Sequence, residues 1–226
     1  MPSVSEISQL EIDSVRHQVG GRTILSGIYL SLSRGDVHGL LGLNGSGKST
    51  ILGGIFGSIT LDSINVRIDG VPVAPAYKDR KIGFLPQFPI LPLGMKVEYL
   101  FHMFTGMGPI EDDRIESIKH QRVSELSGGQ RRYLEAYLTL MGPSRFVLLD
   151  EPFSGIEPIF TDAIGALIRR ASEDKGILLT DHDYRTVLNY SKTCDLLLRG
   201  ELLSFKTEDE LRSLGYLPSR GNSNAR

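Results

Sequence analysis

The segment 42–50 (GLNGSGKST) constrains the fold of this 226-residue chain more than any other. It follows the apolar run 37–43 and leads into the helical pattern Lys48–Phe56, which predicts a buried strand, a glycine-rich turn and a helix. That order fits the P-loop pattern, in which backbone N–H groups and a helix N-terminus surround phosphate oxygens. Lys48 is expected to reach the β- and γ-phosphates, and Ser49 to bind Mg²⁺. The remaining predicted phosphate-cradle residues are Gly42, Leu43, Asn44, Gly45, Ser46, Gly47 and Thr50.

Strands alternate with helices along most of the chain, which favours an α/β fold with a parallel core sheet. The strands predicted near the start, together with the Asp69-Gly70 hairpin turn, indicate an N-terminal antiparallel β subdomain. The region of about 88–143 has no convincing buried strand and is predicted to form a compact, mainly helical subdomain. We therefore expect a single domain over 1–218 and a disordered tail over 219–226.

Composition and charge exclude several classes of protein. Lys and Arg total 25 and Asp and Glu total 27, so the net charge of −2 provides no bulk attraction to nucleic acid or to an anionic membrane. No apolar run approaches the roughly 18 residues that a membrane-spanning helix needs, and the first residues contain no apolar signal segment. The single cysteine, Cys194, cannot form an internal disulfide. A cytoplasmic protein that does not bind nucleic acid is expected.

The apolar segment 146–149 ends in two acids, Asp150 and Glu151. Taken alone this is weak evidence for a site, because strand ends often carry acids. In a chain with a P-loop it points to chemistry, since such an aspartate holds the metal through its hydration shell. A second carboxylate, Glu151, could then deprotonate the attacking water.

The segment 126–130 (LSGGQ) opens a predicted helix and offers a second anion cradle, formed by Ser127, Gly128, Gly129 and Gln130. The simpler interpretation is an ordinary N-cap at Ser127 followed by two glycines without function. Two glycines at the start of a helix cost about 1 kcal/mol each relative to alanine, a cost that a simple cap does not require. A second cradle with no second lysine indicates a nucleotide that is held elsewhere.

The P-loop, LSGGQ and LLDEP, in this order, resemble the ATP-binding domain of ABC transporters over nearly the whole chain. The resemblance implies a Mg²⁺-dependent ATPase that works as a head-to-tail dimer with a second ABC ATPase subunit, either identical or different. Each ATP would lie between the P-loop of one subunit and the LSGGQ of the other. A separate integral membrane permease would use the motion, which places this chain at the cytoplasmic face of a membrane.

The same resemblance assigns roles to further residues. Gln87 matches the glutamine that contacts Mg²⁺ and water, so Ser49, Gln87 and Asp150 are the expected Mg²⁺ site. His182 matches the histidine that contacts the γ-phosphate, and Lys48, Gln87, Glu151 and His182 are the expected catalytic set.

Two features of the chain depart from the family pattern. Glu157 replaces the usual aspartate of the D-loop (154–157). The N-terminal strands lack the aromatic ring on which the family stacks adenine, and only His17 or Val19 falls near the expected place.

Two alternative functions remain open at the level of sequence. One is a soluble ABC-type ATPase that drives an assembly or regulatory complex without transport. The other is a nucleotide-dependent binding module with little turnover, which the presence of Glu151 and His182 argues against. A surface for the permease is predicted at the proline-rich passage 88–93, where Phe88, Ile90 and Leu91 are apolar.

Overall fold

Two β-sheets organise the part of the chain that the computed structural model describes, namely residues 8–73, 75–76, 78, 80–106 and 109–218. The first is a four-stranded antiparallel sheet in the order β2-β1-β4-β5, and it confirms the predicted antiparallel subdomain. The predicted tail 219–226 lies outside the described residues. The strands of this sheet are β1 (Gln9–Val19), β2 (Arg22–Ser33), β4 (Ser63–Ile68) and β5 (Val71–Pro72).

The second sheet has six strands in the order β10-β9-β3-β8-β7-β6 and is parallel except for β10, which pairs antiparallel with β9. The sequence analysis missed β10, although Arg199 and Gly200 form the hairpin turn that leads into it. Both have positive φ (53° and 85°), as the two central residues of a tight hairpin turn require. The strands are β3 (Val37–Leu41), β6 (Ile82–Leu85), β7 (Phe146–Asp150), β8 (Gly176–Thr180), β9 (Thr193–Leu198) and β10 (Glu201–Ser204).

Helices cover both faces of the parallel sheet, as the predicted α/β class requires. The region 88–143 contains α2, α3, a 3₁₀ turn and α4, and its described residues form no strand beyond one isolated bridge between Lys96 and Arg122. The helices are α1 (Lys48–Phe56), α2 (Val97–Thr105), α3 (Asp113–Ile118), α4 (Gly128–Met141), α5 (Pro158–Ala171), α6 (Tyr184–Tyr190) and α7 (Glu208–Ser213). None of the described helices is long and apolar enough to cross a bilayer.

The core has two main layers because β7 is buried on both faces, and alternate side chains of a strand point to opposite sides. Phe146 and Leu148 pack towards α1 and the antiparallel sheet. Val147 and Leu149 pack towards α4 and α5. The parallel sheet is thus held from both sides, and the carboxyl ends of its strands form one rigid edge.

Candidate nucleotide-binding site

Of the expected site residues, Lys48, Ser49, Gln87, Glu151 and His182 meet at this carboxyl edge. The segments that follow β3, β6, β7 and β8 all emerge there, which is where ligands bind in open parallel sheets. A cleft of about 640 Å³ lies at the edge. It is lined by His17, Val19, Ile24, Asn44, Gly45, Gly47, Lys48, Ser49, Thr50, Gln87, Glu151, Ser154 and His182.

The turn between β3 and α1 needs glycine for conformational reasons. Gly45 and Gly47 have φ of 78° and 109°, in the left-handed region that strains other residues. A side chain at Gly47 would also approach Ile24 and Leu25 of β2 at 3.0–3.1 Å. The loop can therefore turn its backbone N–H groups towards the cleft and lead directly into the N-terminus of α1.

Lys48 is the buried cation of the cleft, with a relative exposure of 5%. Its Nζ donates hydrogen bonds to Gly42 O at 2.8 Å and Leu43 O at 3.3 Å, which account for two of the three ammonium donors. Burial lowers the pKa of Lys48, while the carboxylates of Glu151 and Asp150 oppose that shift. The ammonium is thus drawn towards the loop on one side and the acids on the other, in the place where an anionic phosphate would rest.

Asp150 ends β7 and lies beneath the cleft with an exposure of 2%. Burial raises its pKa, and a hydrogen bond from the Ser49 side chain acts in the opposite direction. Its Oδ1 is buried and has no hydrogen-bond partner among the described residues. An orphaned carboxylate oxygen beside Ser49 fits a hydrated Mg²⁺, which needs only one or two carboxylates beside phosphates and waters. The described part of the chain contains no cluster of three or more His, Cys, Asp or Glu residues that could hold a metal ion.

Glu151 begins the turn after β7 and adopts an unusual backbone conformation with φ of 48°. Its N–H donates to Thr180 O at 2.9 Å, which anchors the turn to the end of β8. Gln87 Nε2 donates to Glu151 Oε2 at 2.9 Å. The structure therefore brings the expected base and the expected metal-contacting glutamine, 64 positions apart, into direct contact.

His182 follows β8, and its exposed ring is held by a buried acid that the sequence analysis did not select. Its Nδ1 lies 3.0 Å from Asp181 Oδ1. Asp181 also accepts hydrogen bonds from the N–H groups of Asp183 (3.1 Å) and Phe153 (3.4 Å). Burial raises the pKa of Asp181, and these backbone donors oppose the shift. Because Asp181 binds Nδ1, the other ring nitrogen is left for a ligand.

The LSGGQ segment does not line this cleft. Ser127 Oγ accepts from Gln130 N at 3.2 Å and Gln130 Oε1 accepts from Ser127 N at 2.9 Å, so the predicted N-cap is confirmed as a reciprocal capping box. A Cβ at Gly129 would collide with Phe160 and Glu157, which gives that glycine a packing role within the chain. A Cβ at Gly128 would meet no atom within 4 Å.

Arg132 and Glu135 are buried on α4 and were also missed by the sequence analysis. The sequence feature that could have identified them is an acidic and a basic residue, three positions apart, on the otherwise apolar buried face of a helix. Leu91, expected on the docking surface, lies in an apolar groove and is only 7% exposed. Leu91 packs into the core with α2 and α4, because its passage turns inward at that point.

The cleft offers a nucleobase no aromatic platform, since its lining contains no Phe, Tyr or Trp. His17, which lies 3.9 Å from Asp62, and the exposed Val19 lie at the expected place. Without an aromatic platform a base loses a stacking contact of about 1–3 kcal/mol. We therefore predict that the ratio of ATP to GTP affinity stays below about one hundred.

Titration of both nucleotides by fluorescence or calorimetry checks this expectation. Val19→Tyr should tighten ATP binding by about fivefold or more, because it restores a ring at the cleft. Val71→Tyr, a comparable exposed valine on β5, is the control. An ATP preference above a hundredfold in the unmodified chain would show that His17 or a partner residue supplies the missing contact.

Comparison with known proteins identifies the family. The profile of the ABC transporter family matches residues 25–154. An uncharacterized ABC transporter ATP-binding protein of Rhizobium meliloti is 35% identical over 81% of this chain and 74% of its own length. The lipopolysaccharide export system ATP-binding protein LptB of Escherichia coli is 30% identical over 84% of this chain and 87% of its own length.

Solved structures share the fold. The ATP-binding subunit of an ABC transporter superposes with a TM-score of 0.77 at 21% identity, over 93% of this chain and 95% of that one. An ATP-binding cassette in its ADP conformation superposes with a TM-score of 0.75 at 22% identity, over 94% and 96%.

Proposed function

The chain belongs to the ABC transporter family as an ATP-hydrolysing subunit, and on that premise we propose that it works as a head-to-tail dimer on a membrane permease. Residues 1–218 would form one ABC ATPase domain, with 88–143 as its helical subdomain. The observation that carries the proposal is the convergence of Lys48, Gln87, Glu151 and His182 on a single cleft. The alternative of an ATPase without a transport role is not favoured by the relatives, which are named as transport components.

For catalysis we propose that the P-loop amides and Lys48 bind the phosphates, as the buried ammonium supports. Glu151 would accept the proton of the attacking water, and His182 would donate a hydrogen bond to the γ-phosphate. Gln87 would orient Glu151 and the water through its side-chain amide, because its Nε2 donates a hydrogen bond to the Glu151 carboxylate. Ser49, Gln87 and, through water, Asp150 would hold Mg²⁺, which supplies charge neutralisation at the β- and γ-phosphates.

The dimer is proposed because the LSGGQ segment lies away from the cleft of its own chain. The open space at Gly128 leaves its backbone accessible to a phosphate held by a second subunit. Ser127, Gly128, Gly129 and Gln130 would then close the cleft of the partner from the opposite side. Glu157 lies beside Gly129, so its longer side chain would sit at that same interface.

A permease surface is proposed at an apolar groove of about 470 Å³ between the core and the helical subdomain. Phe56, Phe84, Leu91, Pro92, Leu100 and Leu138 are among its lining residues, and Ile90, Met103 and Phe104 are 52%, 51% and 40% exposed along it. Phe88 is 75% exposed next to it. Apolar side chains that stay exposed in one continuous groove are typical of a docking site, and a short helix of a permease would bury them. The chain would thereby lie on the cytoplasmic face of the membrane.

A negative charge introduced in or beside the groove should weaken binding of the permease without changing ATP binding. Met103→Asp and Phe88→Asp should reduce co-purification with the membrane subunit by about tenfold or more, because a buried unpaired carboxylate opposes docking. ATP binding should be unchanged, since neither residue lines the cleft. Affinity purification from detergent extracts measures both.

Val71→Asp places the same charge at a valine on the antiparallel sheet that is 58% exposed, between Met103 and Phe88, and is the control. If the chain co-purifies only with proteins that are not in the membrane, and neither Met103→Asp nor Phe88→Asp changes this, the alternative of an ATPase without a transport role would be favoured.

A further inference from the structure

A buried ion pair on α4 lies between two features of the molecule. One is the catalytic turn, which follows β7 and contains Glu151, and the other is the apolar groove proposed to bind a permease. Arg132 and Glu135 are 7% and 2% exposed, and Arg132 Nη1 lies 3.5 Å from Glu135 Oε2. Burying a guanidinium and a carboxylate is costly unless their hydrogen-bonding groups are used. The hydrogen bonds of each side chain therefore indicate what the buried pair contributes to the structure.

The Arg132 guanidinium binds four backbone carbonyls from two separate loops. Nη1 donates to Pro86 O at 2.7 Å. Nη2 donates to Asp150 O and Glu151 O, each at 3.0 Å, and Nε donates to Pro152 O at 3.3 Å. A flat fork of five donors can serve such a set, whereas an ammonium with three cannot.

These carbonyls belong to the peptides around the two side chains that meet in the cleft. Pro86 directly precedes Gln87, and the other three carbonyls lie in the turn that contains Glu151. That turn holds Glu151 at a φ of 48°, a conformation that persists only where surrounding contacts enforce it. Arg132 thus fixes both ends of the Gln87–Glu151 hydrogen bond without touching the cleft itself.

Glu135 fixes the same loop on the side of the groove. Its Oε1 accepts from Ile90 N at 3.0 Å and Leu91 N at 3.4 Å. Ile90 and Leu91 both line the apolar groove. The pair therefore spans the distance from the groove to the catalytic turn, with Glu135 on one side and Arg132 on the other.

We propose that Arg132 is a positioning residue for hydrolysis, which sets Glu151 and Gln87 through their backbone carbonyls, with Glu135 as its counter-ion. This inference rests on the proposed role of Glu151 as the base. Because Arg132 does not line the cleft, it governs turnover and leaves ATP affinity nearly unchanged.

Arg132→Lys tests this, because it keeps the charge beside Glu135 and removes the fork. We expect kcat to fall by about tenfold to a hundredfold, the range that a displacement of about 1 Å causes at a catalytic group. ATP affinity should stay within about twofold, since the phosphate contacts of the cleft are untouched. Arg145→Lys, at an exposed arginine paired with Asp69, is the matched control.

Glu135→Gln separates positioning from general stability. The amide keeps an acceptor for Ile90 N and Leu91 N and leaves the four carbonyl bonds of Arg132 in place. We expect the melting temperature to fall while the folded protein keeps kcat within about threefold. Equal losses of kcat in Arg132→Lys and Glu135→Gln, in proportion to their loss of stability, would overturn the proposal.

A double-mutant cycle gives the decisive readout. In a Glu151→Gln background, Arg132→Lys should lower the residual turnover by less than about twofold, because residues that act through one group are not additive. If the kcat losses of the two single variants multiply in the double variant, or if Arg132→Lys alone has a normal kcat, the positioning role of Arg132 is refuted. The assignment of Glu151 as the base would be unaffected. A failure of the proposed function looks different, since Glu151→Gln would then hydrolyse ATP at a near-normal rate by itself.

Discussion

Glu151→Gln is expected to lower ATP turnover by about 10²–10⁴, the contribution typical of a general base. The amide keeps the size of the side chain and an acceptor for Gln87 Nε2, so the turn should fold as before. It removes the basic lone pair and the negative charge that is expected beside the γ-phosphate. ATP binding should survive, because Lys48 and Ser49 are unchanged, and the lost charge should favour the closed dimer.

Phosphate release and size-exclusion chromatography with Mg·ATP measure the two effects together. Glu173→Gln, at an exposed glutamate next to α5, is the matched control and should behave as the unmodified chain. Near-normal hydrolysis by Glu151→Gln would refute the assignment of the base. A monomer in every nucleotide state would show either that a different partner subunit is required or that the head-to-tail arrangement is wrong.

Lys48→Ala is expected to weaken ATP binding and dimerisation together. The charge-assisted hydrogen bonds to phosphate that it removes are worth about 1.5–3 kcal/mol, or roughly a ten- to hundredfold loss of ATP affinity. The loss should lie at the upper end, because Nζ also ties Gly42 O and Leu43 O and so shapes the loop. Lys206→Ala, at an exposed lysine, is the control.

Ser127→Arg completes the comparison because it alters the second cradle and leaves the first intact. It should bind ATP with normal affinity and fail to dimerise, whereas Lys48→Ala should be impaired at both steps. Calorimetry for binding and chromatography for assembly distinguish the two. Dimerisation of Ser127→Arg with ATP would contradict the proposed sandwich.

The motifs were readable from the sequence because their chemistry is local. The P-loop needs glycines at positive φ, as Gly45 and Gly47 show, and a helix directly after them. The cap at Ser127 is likewise formed by residues within one turn. The fold class followed from alternating strands and helices, and the comparisons with solved structures confirm it.

Other features depended on residues distant in sequence and could not be read in the same way. The sequence placed Leu91 beside prolines on a docking surface, and only the structure shows that it is buried beside Leu100 of α2 and Leu138 of α4 in the groove. Asp181 stands in a polar tripeptide after β8, and only its burial identifies it as the partner of His182. Arg132 resembles any helical arginine until its four carbonyl partners are known.

The sequence by itself determined the family and predicted the cradle and the acids at the end of β7, because each depends on residue types at short spacings. Only the tertiary structure decided which of these groups meet. The parallel sheet brings the ends of β3, β6, β7 and β8 to one edge, and there Gln87 reaches Glu151 while Ser127 stays outside the cleft. The physical reason is that packing on both faces of the sheet sets these distances, and no local pattern encodes them.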